Sequence, residues 1–128
     1  MRARLGLIAT VVFVGAVAAY LAIRLIGANA PLATSSPGAF VRGCPAALLE
    51  GLLVADAGSG TAVEVGLEKM PVVWPFGYTG HRTTDGGVEV RDVIGAVIAR
   101  TGEHVSLSGG MITADGRWST CGPPLARS

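Results

Sequence analysis

The 128-residue chain has one lysine, two histidines and two cysteines, and aromatic residues make up only 5% of it. Beyond position 30 seven basic side chains face nine acidic ones, a net of −2, with no basic stripe. That balance argues against a nucleic-acid partner. The two histidines, His81 and His104, have no H-x-x-x-H spacing and no second cysteine pair to complete a zinc set. Ser106 stands between Val105 and Leu107 in an alternating run, not on a G-x-S-x-G elbow. Gly58-Ser59-Gly60 and Gly109-Gly110 are followed by neither a helix start nor a P-loop lysine, so both read as turns. There is no internal repeat. The chain thus carries no catalytic motif, and no enzyme activity, cofactor or metal is expected of it.

What the chain does have is Leu5–Ile23, 19 residues without a charge. As a helix at about 1.5 Å per residue this segment would span roughly 28 Å, close to the hydrocarbon thickness of a bilayer. Arg2 and Arg4 precede it and Ala28-Asn29-Ala30 resembles a signal-peptidase site. The run is long for a signal peptide, however, and Pro31 would follow the cut. The expectation is an uncleaved signal anchor over 1–27, with secretion after cleavage as the alternative. Arg2 and Arg4 put the N-terminus in the cytoplasm and the rest outside, by the positive-inside rule.

The expected domain organisation is the anchor at 1–27, a flexible linker at 28–43, a small β-barrel domain at 44–122 and a frayed tail at 123–128. Pro31, Ser35, Ser36, Pro37 and Gly38 give the linker no apolar face to pack. Cys44 and Cys121, an even pair in an extracytoplasmic domain, read as one disulfide closing nearly the whole domain. Two free thiols, or a lipid-modified Cys44, are the other readings.

The period-2 signal recurs along the domain. Leu48–Asp56 reads as a strand, and Val63, Val65 and Leu67 alternate with Glu64, Gly66 and Glu68. Met70–Trp74 continues as a strand, with Pro71 marking an edge or bulge. Val88 and Val90, Ala96–Arg100, His104–Leu107 and Trp118–Cys121 follow. Between them lie turn signals at Asp85-Gly86-Gly87, Gly95, Thr101-Gly102-Glu103 and Asp115-Gly116. Gly109-Gly110 is expected to end its strand. Short strands at this spacing argue a small all-β barrel or sandwich, and the fold class expected is an N-terminal transmembrane α-helix plus a small all-β barrel domain.

Three runs carry a resemblance: Val73-Trp74-Pro75-Phe76-Gly77-Tyr78, Gly86-Gly87-Val88-Glu89-Val90, and the stretch from Ile98-Ala99-Arg100-Thr101-Gly102-Glu103 through Gly110. Together they resemble a set of small exported bacterial proteins with a W-P-x-G-Y/F motif, a G-x-V-x-V hairpin and V/I-A-R-x-G-D/E-x-V-x-L-x-G-G. The resemblance spans roughly Cys44–Cys121. It implies a small β-barrel, OB-like in some members, and no particular activity. The chain departs from the pattern at Thr79-Gly80-His81, and at Asp92-Val93-Ile94-Gly95, where an Asp-Gly turn is usual.

Trp74, Phe76 and Tyr78 concentrate three of the seven aromatics. They read first as a plug for one end of a barrel, and otherwise as a stacking face for a ligand. His81, Arg82, Asp85, Glu103 and His104 gather the catalytic residue types. A metal-dependent hydrolase using His81, Asp85 and His104 is the least favoured reading, since these are turn residues without metal spacing. The expected function is a single-pass, membrane-anchored module at the cell envelope. It would have a structural or protein-interaction role, with the membrane and an envelope protein as its partners.

Overall fold

The computed structural model describes residues 29–40, 43–111 and 115–128. The segment expected as a membrane anchor lies outside the described residues. Ten strands run through these: β1 (Asn29–Ala30), β2 (Ala47–Asp56), β3 (Gly60–Val65), β4 (Glu68–Val73), β5 (Thr79–Arg82), β6 (Val88–Arg91), β7 (Val97–Arg100), β8 (His104–Met111), β9 (Trp118–Thr120) and β10 (Ala126–Arg127).

Strands β8, β2, β3, β4 and β9 pair in that order, and β9 pairs back onto β8 to close a five-stranded barrel. All the pairings are antiparallel except β4 with β9, which is parallel. The register can be followed around the barrel, carried one step past the β3–β4 pairs and three steps past the β2–β8 pairs. It leads from Met111 through Trp118, Val72, Thr61 and Ala55 to Thr101, ten residues back along the line of β8. A stagger that large tilts the strands and opens the ends, so the interior must be filled and the ends plugged. Leu49, Leu53, Val63, Val72, Val105, Leu107 and Trp118 fill it, each 9% exposed or less.

Between β4 and β8 the chain builds β5, β6 and β7, which with the N-terminal β1 form a second sheet, β1-β5-β6-β7. Alternation in this sheet follows the sequence pattern. Val88 and Val90 are buried while Glu89 and Arg91 stay partly exposed. A bulge between Val90 and Arg91 lets Ile98 and Ala99, neighbours in β7, both be buried. Val90, Ile98 and Ala99 join the same core cluster as the barrel residues, so the sheet is a lid on the barrel with no separate core.

Most expected strands and turns are found, and four expectations change. The alternation at Val63, Val65 and Leu67 stops after Val63. Gly66, at φ +62°, starts a two-residue hairpin loop, which leaves Val65 half exposed and Leu67 wholly so. Gly109 and Gly110 do not end β8, which runs on to Met111. A Cβ on Gly109 would lie 2.0 Å from the Ser119 carbonyl oxygen, so glycine is there for the close approach of β9. The tail expected at 123–128 is not frayed. After the Gly122-Pro123-Pro124 break, β10 pairs along β8, with Ala126 opposite Ser106 and Arg127 opposite Val105.

The fourth change concerns the linker expected at 28–43. Asn29 and Ala30 pair with His81 and Gly80. The Ala33 N–H donates to the Ser59 carbonyl at 2.9 Å, and the Ala33 carbonyl accepts from the Trp74 N–H at 2.9 Å. Leu32 packs against the core. The prolines that rule out a helix here are compatible with an edge strand, where few N–H groups are needed.

Candidate functional site

Trp74 lies just past β4, where β3 begins on the neighbouring strand. It is fully buried, and its indole N–H donates to Thr61 Oγ1 at 2.8 Å. Tyr78 stacks on it with ring centroids 6.3 Å apart and planes 20° from parallel. Burial, and after it the nearby Asp92 charge, raises the Tyr78 hydroxyl above its ordinary pKa. The aromatic trio is therefore divided. Trp74 is the plug between barrel and lid and offers no face to a ligand; Tyr78 is half-buried; Phe76 is 59% exposed.

Phe76 stands next to a close approach of two loops. A Cβ on Gly77 would lie 2.7 Å from a Val93 methyl group, so the loop before β5 and the turn after β6 touch. Val93 and Ile94, on that turn, are 67% and 85% exposed. Asp92 braces the turn, its Oδ1 accepting from the N–H groups of Ile94 and Ala96 at 3.1 and 2.9 Å. Phe76, Val93 and Ile94 form an exposed apolar tip. The signal in the sequence is the pair of adjacent bulky apolar residues, Val93-Ile94, just before the turn glycine Gly95.

His81, Asp85 and His104 are not brought together. His81 is on β5, its Nε2 3.3 Å from Thr79 Oγ1. Asp85 holds its own turn through the Thr83 hydroxyl and the Gly87 N–H, which lower its pKa in that order. His104 opens β8 and exchanges backbone hydrogen bonds with Ser128. Among the described residues no group of three or more His, Cys, Asp or Glu is placed to hold a metal. Ser106 donates to Glu50 Oε1 at 3.2 Å on the barrel's outer wall.

The outer face of the lid carries an ion-pair cluster that residue spacing did not reveal. Glu89 accepts from Arg91 Nε at 2.8 Å, two residues along the same strand, and from Arg100 Nε at 3.0 Å, directly across on β7. Arg100 and then Arg91 lower the Glu89 pKa. A carboxylate with a lowered folded pKa adds stability above its unfolded value, about 4.3, and loses it as pH falls through the folded value. The melting temperature of the wild type should therefore fall more steeply below about pH 4 than that of Glu89→Gln. Parallel acid profiles of the two would show Glu89 to be uninvolved.

The described cysteines form one bridge, Cys44–Cys121, with Cα atoms 5.8 Å apart. No family model, curated protein or solved structure matches the chain.

Proposed function

We propose that this chain is a membrane-anchored, extracytoplasmic β-barrel module with a structural or protein-interaction role at the cell envelope. The observation that carries the reading is the barrel interior, packed with side chains from Leu49 to Trp118 and plugged by Trp74. What the domain offers to other molecules is therefore its surface. The exposed tip of Phe76, Val93 and Ile94 is the apolar feature there that fits a protein partner. The disulfide supports an oxidising compartment, and the uncharged run Leu5–Ile23 supports the anchor.

The connectivity fits an OB-type barrel, with five Greek-key strands of which the third and fifth are parallel. The β5–β7 meander occupies the connection between the third and fourth barrel strands. OB barrels bind nucleic acids through aromatic residues on their second and third strands. The corresponding β3 and β4 read GTAVEV and EKMPVV, with no aromatic and a cross-strand Glu64/Lys69 pair. This supports the reading without a nucleic-acid partner.

Two measurements test the proposal. A membrane-impermeant thiol reagent on intact cells should label Cys44 and Cys121 only after reduction. Labelling that requires lysis would place the domain in the cytoplasm and overturn the compartment. A photo-crosslinker at Ile94 in intact cells should give a discrete adduct that Phe76→Ser with Val93→Ser removes, while a crosslinker at Ser106 gives none. Equal adducts at both positions would overturn the interaction role.

A further inference from the structure

The point where the chain joins the fold sets which end of the domain faces the bilayer. The sequence predicts a flexible linker over 28–43. In the structure Asn29, the first described residue, is already in a strand paired with β5 and is followed by the Ala33 hydrogen bonds to Ser59 and Trp74. Only residues 24–28 separate Ile23 from Asn29. Five residues reach about 17 Å at full extension.

The direction of attachment is fixed as well. β1 runs antiparallel to β5, with Asn29 opposite His81 and Ala30 opposite Gly80. Its first residue therefore lies toward the Arg82 end of β5, where the β5–β6 turn begins. The β2–β3 turn is at the same end, since a Cβ on Gly60 would lie 2.2 Å from the Pro31 carbonyl oxygen. Ala30, Pro31, Asp56, Gly60, Arg82 and Gly86 line one shallow cavity there. The β3–β4 hairpin with Leu67 is at the far end of β3. Six residues of strand, about 20 Å, separate it from the β2–β3 turn.

We propose that the domain sits on its own membrane with the β2–β3 and β5–β6 turns against the lipid headgroups and the Leu67 hairpin pointing away. This rests on the anchor reading of Leu5–Ile23. Arg82 at this end can meet a lipid phosphate, while Asp56 and Asp85 there stay ionised, so attachment and not net charge chooses this end. Arg82 is exposed and has no ion pair among the described residues, and Arg24 lies in the tether. The two nearby carboxylates are engaged within their own turns, Asp56 by the N–H and hydroxyl of Ser59 at 3.0 and 2.7 Å, and Asp85 by Thr83 and Gly87. The short tether is what selects this pose.

The test uses the full chain reconstituted in vesicles of zwitterionic and anionic phospholipid, with the native bridge intact. A fluorophore is attached at Ala57→Cys in one variant and Leu67→Cys in another; both positions are exposed. Headgroup-linked quencher lipids should take away the fluorescence at position 57 and spare that at 67. Insertion of a twenty-residue Gly/Ser spacer after Ala28 should abolish the difference, because the longer tether reaches much further. Equal quenching at the two positions with the native tether, or stronger quenching at 67, overturns the orientation alone. Failure of the chain to float with the vesicles overturns the anchor reading, and the orientation with it.

Discussion

Trp74→Ala is expected to destabilise the domain by about 3–5 kcal/mol, the range for emptying a tryptophan site in a core. Two effects add. The first is the cavity left between barrel and lid, because Trp74 shares a cluster with Leu53, Val63 and Leu107 from the barrel and with Val90 and Ala99 from the lid. The second is that Thr61 Oγ1, in a fully buried residue, loses the indole donor 2.8 Å away. Each kcal/mol moves the midpoint of a domain this size by about 4–8 °C. Against a total of about 5–15 kcal/mol, the variant should melt far below the wild type in circular dichroism. Thr61→Val isolates the polar part and should cost about 1–3 kcal/mol by leaving the indole N–H unpaired. A neutral Trp74→Ala would mean that the ring is not the plug.

The legibility of this fold follows from where side-chain pattern alone decides. Val88–Arg91 alternates cleanly, and so does the structure, because the lid has one buried face and one wet one. The turns at Asp85-Gly86-Gly87, Gly95 and Gly102 were readable because positive φ angles near +84 to +94° call for glycine. Where glycine has a different purpose the sequence misled. Gly109 reads as a stop, but it is a place where two backbones nearly touch. The laced segment 29–35 and strand β10 were missed for a related reason. Both are edge pairings built from backbone hydrogen bonds, and proline-rich edges carry almost no periodic signal. The apolar tip needed three dimensions, because the closeness is between Gly77, next to Phe76 in the chain, and Val93, 16 positions further on.

Reduction of Cys44–Cys121 is the second large effect expected. The two cysteines are 77 positions apart, and between them lie all five barrel strands and β5–β7 of the lid. The chain-entropy account gives roughly 4–5 kcal/mol for a loop this long, and native bridges are typically about 2–4. The topology concentrates that effect on closure of the barrel. Ala47 of β2 and Thr120 of β9 both pair with Gly109, from opposite sides of β8. The bridge therefore ties together the two neighbours of one strand. Gly110 leaves room for the segment carrying Cys44, since a Cβ there would come within 3.2 Å of Pro45. β9 is three residues long, with two register pairs to β4 and three to β8, so the bridge backs a short seam. Reductant alone should lower the thermal midpoint by roughly 10–30 °C, and the double variant Cys44→Ala, Cys121→Ala should match reduced wild type. Reductant combined with Trp74→Ala should leave no cooperative transition, because the plug at one end of the barrel and the clasp on its seam are then both gone. An unchanged midpoint on full reduction, verified by thiol titration, would show that the seam holds without its clasp.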